Sequence, residues 1–536
     1  MLFRIASAAL LGIDAYPVEV EVDVSFGLPQ FVIVGLPDAA VRESKERVQA
    51  ALKNCGYEGQ PSKIVVNLAP ADRRKEGSSF DLPIALGLLA ERGVVPAERL
   101  RDRLFLAELA LDGRLKPARG VLAATVLARA RGFKGIVVAG DNAMEGCLVS
   151  GIEVHGLENL VQAVRLIREP ETVPPARFES DRLQASEDGD LDYKDVKGQA
   201  HAKRALEVAS AGAHNLLMIG PPGAGKTMLA RRLPTILPPL SFEEIIEATQ
   251  IYSAAGLLRG RACVAVRPFR APHHTATDAA MIGGGFVPRP GEVSLAHHGV
   301  LFLDELPEFR RGVLEDLRQP VEDGRVTISR VWQAVTFPSR FMLVAAMNPC
   351  EEVLRGLAGS GVECTDSQRL RYYAKISGPL LDRIDIRVEV PALRFREVVS
   401  RAETEGSAAI RERVIRARDR QNRRFRGTRI FANAQMGPRE VKAFCRVDGE
   451  GERLLASAAE QLGLSGRGYD RVLKIARTIA DLAGGEAIAS SHVSEAIQYR
   501  LPGPVAAFAR DASRRVERSE DRAEAGAGPG RKAMIK

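Results

Sequence analysis

The octapeptide Gly220-Pro221-Pro222-Gly223-Ala224-Gly225-Lys226-Thr227 constrains the fold of this chain more than any other stretch. It fits G-x-x-x-x-G-K-S/T, the spacing of a phosphate-binding loop. Leu216-Leu217-Met218-Ile219 before it is apolar throughout, as a buried parallel strand requires. Met228 to Leu233 after it reads as a helix. In that order the glycines turn backbone N–H groups inward around phosphate oxygens, and the helix N-terminus adds partial positive charge. Lys226 brings a full charge to β- and γ-phosphates, and Thr227 a hydroxyl to Mg²⁺. The expected fold class is α/β.

Three further stretches end in the polar groups that such a site needs. Val300-Leu301-Phe302-Leu303 is an apolar strand closed by Asp304 and Glu305. Asp304 suits Mg²⁺, through water, and Glu305 suits polarisation of an attacking water. Phe341 to Met347 is a second apolar strand, ending in Asn348. Asn348 either sits beside Asp304 at the carboxyl edge of the sheet or caps a turn before Pro349. Arg383, set among Asp382 and Asp385, is either a structural ion-pair residue or an arginine finger reaching a neighbouring subunit. Downstream, Ser465 can cap a helix on which Arg467, Arg471 and Lys474 share one face, opposite Val472, Ile475, Ala476 and Ile479. That basic stripe either reaches a nucleotide or is solvated.

At 536 residues the chain exceeds one hydrophobic core. Residues 1–170 read as an α/β domain. Val18, Val20, Val22 and Val24 alternate with Glu19, Glu21 and Asp23, the pattern of a half-buried strand. Phe31–Val34, Ile64–Val66 and Ile136–Val138 add strands. Asp38 is placed to cap a helix running to Asn54, and 81–90 and 121–130 add two more. Residues 171–190, polar and proline-containing, read as a linker. The phosphate-loop domain follows at 191–395, a mainly helical segment at 396–502, and a largely disordered tail at 503–536. The net charge of +8 permits a polyanionic partner without requiring one. Six scattered cysteines read as reduced thiols of a cytoplasmic protein. No charge-free apolar run reaches the roughly 18 residues that a membrane span needs; Ile5 to Ile13, ended by Asp14, reads as folded structure.

Together these residues resemble AAA+ ATPases of the magnesium-chelatase-like group, and within it the bacterial ComM/YifB family. Ala8-Ala9-Leu10-Leu11-Gly12-Ile13, Asn67 to Asp72, Arg270 to Thr275 and Ser377 to Asp385 carry the resemblance, which covers about residues 1–500. It implies an AAA+ P-loop core with a helical lid, preceded by an α/β N-terminal domain similar to the Lon protease domain. It also implies a ring, a hexamer, with ATP and Mg²⁺ at subunit interfaces. Asn348 would be the first sensor, Arg383 the finger and Arg467 the second sensor, with Arg471 the runner-up. The implied activity is that of a DNA motor for branch migration, integrating incoming DNA during natural transformation. In the N-terminal domain Ser79 stands where Lon has its nucleophile. Leu122 stands where Lon has its lysine, which leaves Lys116 as the other nearby base, so no peptidase is expected. Relatives often carry paired cysteines after the sensor asparagine. Here only Cys350 and Cys364 remain, so zinc is not expected.

Other stretches leave alternatives. His273, His274, His297 and His298 invite a metal reading, but adjacent side chains diverge on regular strands and helices, so packing is favoured. The arginines from Arg411 to Arg426 form the densest basic run, either a DNA-binding face or a solvated helix. Val326–Ser329 and Ala334–Phe337 read as a hairpin with Arg330 and Trp332 at its tip, either stacking on single-stranded DNA or folding back. Two rival functions remain: the ATPase subunit of a metal-chelatase complex, and a protein-remodelling ring.

Overall fold

The computed structural model describes residues 2–60, 62–178, 191–258, 260–285, 288–330, 333–350, 364–393, 404–428 and 430–500. The linker positions 179–190, the tail and Trp332 lie outside them.

The N-terminal domain is built on a seven-stranded mixed sheet. Its strands are β1 (Leu2–Leu11), β2 (Asp14–Ser25), β3 (Gln30–Val34), β4 (Lys63–Ala69), β5 (Arg103–Leu106), β8 (Gly135–Ala139) and β9 (Glu153–Leu157). The order across the sheet is β3-β4-β2-β1-β5-β8-β9. A small hairpin, β6 (Glu108–Leu109) and β7 (Leu115–Lys116), lies between β5 and β8 in the chain. The valine alternation of β2 works as period-two patterning predicts: Val18, Val20 and Val22 are buried and Glu19 is exposed. The run from Ile5 is folded, as expected, since β1 pairs with β2 along its whole length. Asp38 caps a helix through the Val41 N–H, 2.8 Å away. That helix (Ala39–Arg42) stops after one turn, and a second (Ser44–Asn54) carries on.

The second domain has a five-stranded, wholly parallel sheet in the order β11-β14-β17-β10-β18. These are β10 (Leu216–Ile219), β11 (Phe269–Arg270), β14 (Val300–Leu303), β17 (Met342–Met347) and β18 (Ile386–Glu389). Short hairpin strands β12 (Gly283–Gly284) and β13 (Arg289–Pro290) form an excursion between β11 and β14. A longer hairpin, β15 (Arg325–Arg330) and β16 (Gln333–Pro338), precedes β17. Its register pairs Arg330 with Gln333; Val331 and Trp332 lie outside the described residues.

The two faces of this sheet bury different partners. Leu216 and Met218 point to a core shared with the helix Ala200–Gly212 and the C-terminal helices. Leu217 and Ile219 point to a core containing Val326, Val335 and Phe337 of the β15–β16 hairpin. The C-terminal helices include Ser407–Arg424, Gly449–Leu462, Gly466–Ala483 and Ser490–Gln498.

Two expectations need correction. Cys350 and Cys364 are joined as a disulfide, with Cα atoms 6.6 Å apart, not separate thiols. Both are buried against the same sheet face, which brings the sulfurs together across 14 residues of sequence. The arginine run is not one solvated face. Arg413 pairs with Glu207 and Glu405, Arg418 bonds the carbonyls of Ser210, Ala211 and Phe431, and Arg424 pairs with buried Asp481. No helix among the described residues is long and apolar enough to cross a membrane.

Candidate nucleotide site

A parallel sheet collects its strand ends at one edge, and three apolar strands here end in polar groups at that edge. The phosphate loop follows β10, Asp304 follows β14 and Asn348 follows β17. The structure brings them into contact. Lys226 Nζ donates to Asn348 Oδ1 at 2.9 Å and to the carbonyls of Gly220 and Pro221 at 2.7 and 2.9 Å. Thr227 Oγ1 donates to Asp304 Oδ2 at 2.6 Å. Burial pushes the Lys226 ammonium below the ordinary lysine value, against the pull of Asp304 and Glu305. The turn needs its glycines for two reasons. Gly223 and Gly225 hold φ of +77° and +91°. A Cβ on Gly220 would lie 2.0 Å from the Val390 carbonyl oxygen.

This loop is a fit for nucleotide phosphates and Mg²⁺. Its positive-φ glycines open a concave backbone ahead of the helix Lys226–Arg231, with a lysine at its centre. Thr227 and Asp304 offer paired oxygen donors of the hard type that Mg²⁺ takes. Glu305 has the left-handed φ of +52°, uncommon outside glycine, and its N–H donates to Asp304 Oδ1 at 3.0 Å. Tyr372, which sequence reasoning passed over, donates its hydroxyl to the Asn348 carbonyl at 2.9 Å and steadies that loop.

The other three predicted residues gather elsewhere. β18 begins after Asp385, so Arg383 lies at the amino end of a strand parallel to β10. The Arg383 carbonyl accepts from Asn215 Nδ2 at 2.9 Å, and Asn215 immediately precedes β10. The four-residue β10 separates that end from the phosphate loop by about 13 Å. Arg383 pairs with Glu322, which also faces Arg467 at 3.9 Å. Arg471 pairs with Asp385 at 3.1 Å, and Lys474 donates to the Ala434 carbonyl at 3.1 Å. Burial raises Asp385, but the bond to His214 and the charges of Arg471 and Lys474 outweigh it and hold its carboxyl below the usual range. Arg383, Arg467, Arg471 and Lys474 line one cavity of about 460 Å³, with no residue of the phosphate loop in its described lining. The basic stripe therefore does not reach the phosphate loop of its own chain. The cause is where the helix docks: Thr478 Oγ1, on the helix Gly466–Ala483, meets His214 Nε2 at 2.8 Å, behind the sheet. Ser465 caps that helix, as its sequence indicated.

Neighbouring histidines do converge, contrary to the alternation argument. His298 has φ +58°, which turns its ring beside that of His297, with centroids 3.9 Å apart. Both Nε2 atoms meet Glu247 Oε2, at 3.0 and 2.7 Å. The cluster is a poor metal site on its own chemistry. His297 Nδ1 accepts the Arg340 N–H at 2.9 Å, so the ring proton sits on Nε2 and that nitrogen has no lone pair to offer. Burial lowers His297 to about 4, consistent with a neutral ring. In the N-terminal domain Leu122 is fully buried, Lys116 is exposed, and Lys75 is buried with its ammonium on the Pro70 carbonyl. Arg330 ends β15; its side chain and Trp332 lie outside the described residues.

Comparison with known proteins agrees along the chain. Family profiles match at residues 192–398 (magnesium chelatase, subunit ChlI), 20–142 (subunit ChlI of Mg-chelatase) and 404–500 (subunit ChlI C-terminal). Competence protein ComM of Haemophilus influenzae is 43% identical over 499 residues, 92% of this chain and 96% of that protein. YifB of Salmonella typhimurium is 43% identical over 494 residues, again 92% and 96%. Lon protease 2 of Bacillus subtilis is 27% identical over 147 residues, 26% of this chain and 27% of that protein.

Proposed function

The chain belongs to the ComM/YifB family of magnesium-chelatase-like AAA+ proteins, and from that premise we propose that it is an ATP-hydrolysing ring motor, a hexamer, that moves branched DNA. The Haemophilus relative is a competence protein, which supports a place in the integration of incoming DNA. One observation carries the motor reading: the site is split. Lys226, Thr227, Asp304 and Asn348 meet at the carboxyl end of the sheet, while Arg383 stands at the amino end. A catalytic arginine so placed serves a neighbour's nucleotide, which makes hydrolysis a property of an assembled ring.

In this reading Lys226 and the backbone of the phosphate loop hold the β- and γ-phosphates of ATP. Thr227 and Asp304 hold Mg²⁺, which neutralises phosphate charge when bound. Glu305 polarises the attacking water and Asn348 orients it. Arg383 neutralises charge on the γ-phosphate of the adjacent subunit. Arg467, with Arg471 the runner-up, joins it from the same cavity. Arg330 and Trp332 contact single-stranded DNA.

The test is the ATPase rate with no DNA, single strands, duplex and branched junctions. Branched DNA should stimulate most. A rate indifferent to all DNA, yet raised by a chelatase partner or a protein substrate, would favour the rival readings. Arg383→Ala should slow hydrolysis by about 10³-fold with nucleotide binding intact. Mixed with Lys226→Ala subunits, it should regain activity at the interfaces left complete. No recovery, with subunit exchange shown separately, places Arg383 in a purely structural pair.

A further inference from the structure

The cavity that holds Arg383, Arg467, Arg471 and Lys474 collects cations, and one carboxylate stands between two of them. Glu322 pairs with Arg383 through Oε2 and faces Arg467 through Oε1, the latter at 3.9 Å. The two arginines come from separate elements. Arg383 follows the helix Gly378–Asp382, and Arg467 lies in the first turn of the helix Gly466–Ala483. Two guanidinium groups brought to one point repel each other, and a carboxylate with an oxygen for each offsets that repulsion.

Glu322 stands on a braced backbone. Its helix, Arg318–Asp323, packs Val321 against the same core as the β15–β16 hairpin. The helix ends at Gly324, whose carbonyl accepts the Ser339 N–H at 2.9 Å and closes the base of that hairpin. A Cβ on Gly324 would lie 2.7 Å from Arg340 Cγ, so the turn is close-packed. Arg383 is held at two points: Nη1 donates to the Pro379 carbonyl at 2.7 Å, and Nη2 bonds Glu322. Its buried Nε has no hydrogen-bond partner and remains a spare donor. The Arg467 side chain is 69% exposed, with Glu322 its only ion-pair partner among the described residues, so its direction depends on that carboxylate. A half-exposed ion pair adds little to folding. What this one does is set the direction of two cations.

We propose that Glu322 is a positioning residue for hydrolysis at the neighbouring subunit: it holds Arg383 and Arg467 as one unit, so that both guanidinium groups meet the neighbour's γ-phosphate together. Glu322 itself touches no reacting atom. The inference rests on the reading of Arg383 as a finger acting across the interface.

The experiment is steady-state ATPase of the full chain, with single and paired substitutions. Glu322→Ala should lower kcat about 10-fold with KM for ATP unchanged, because a misdirected group costs rate rather than ground-state binding. Glu322→Gln, which keeps the shape and loses the charge, should fall in the same direction, and it decides the matter should Glu322→Ala fold poorly. Added to Arg383→Ala, Glu322→Ala should cost less than about two-fold more, since the finger it positions is already gone. Mixed with Lys226→Ala subunits, Glu322→Ala should regain activity, because the neighbour lends an intact arginine pair; a role confined to the folding of its own chain gives no such recovery. Unchanged kcat in both Glu322 variants, or the same loss of about 10-fold on top of Arg383→Ala, overturns the proposal. Normal turnover in Arg383→Ala alone instead overturns the finger reading, a distinguishable failure.

Discussion

Lys226 donates to two loop carbonyls and to Asn348, so an entering phosphate oxygen must replace one of those acceptors. Lys226→Ala removes a charge-assisted contact worth roughly 1.5–3 kcal/mol. Nucleotide affinity should fall about 10- to 150-fold, read by titration calorimetry, and hydrolysis should stop. Glu305→Gln keeps the cradle whole, so affinity should hold while turnover is lost; normal turnover would remove Glu305 from the chemistry. The residues of this cradle were legible because each stands directly after an apolar run, and parallel strands end together. The bridge from Glu322 to Arg383 and Arg467 was not legible, since its three residues come from segments far apart in sequence. The convergence of His297 and His298 was hidden for another reason: it turns on one positive φ that histidine does not announce.

At the scale of elements, the helix Ser407–Arg424 shows why a charge run is a poor guide to a binding face. Asp481 is fully buried on the helix Gly466–Ala483 and accepts from Arg424 at 2.8 Å, from Asn433 at 2.8 Å and from Arg477 at 3.1 Å. Arg424 therefore joins two helices rather than facing solvent. Arg424→Ala leaves part of a buried carboxylate uncompensated, and the C-terminal helices should lose about 3 kcal/mol of stability. The urea midpoint of the variant measures this, and an unshifted midpoint would return Arg424 to the list of free surface cations. The patterning of Arg467, Arg471 and Lys474 on one helix face was readable from spacing. Which end of the sheet that face meets was not, because the partners that set it, His214 and Asp385, precede their strands and lie far away in sequence.

The whole molecule is joined through the N-terminal domain. Leu122 packs with Leu240, Ile245 and Cys263 of the second domain. Gln250 donates to the Ile13 carbonyl at 2.9 Å, and Gly12 sits so close to the β15–β16 hairpin that a Cβ there would meet Val335 at 2.3 Å. Glu145 lies inside this junction, 4% exposed, with Ser253 of the second domain donating to it at 3.3 Å and Asn142 at 3.5 Å. Burial pushes its carboxyl up to about 7, from an ordinary value of 4.5, and the bonds from Ser253 and the backbone pull only partly back. A carboxyl raised in the folded state binds more protons folded than unfolded between those two values. Its contribution is therefore complete below pH 4.5, is lost as pH rises to about 7, and stays lost above. The loss is on the order of 3 kcal/mol. Glu145→Gln keeps the shape and cannot ionise. Thermal unfolding of both proteins from pH 5 to 8 should show the variant gaining on the original as pH rises, with the gap levelling above about 7. A gap that does not change with pH would mean that Glu145 is already ionised and solvated, and that the domain junction is more open than its packing indicates.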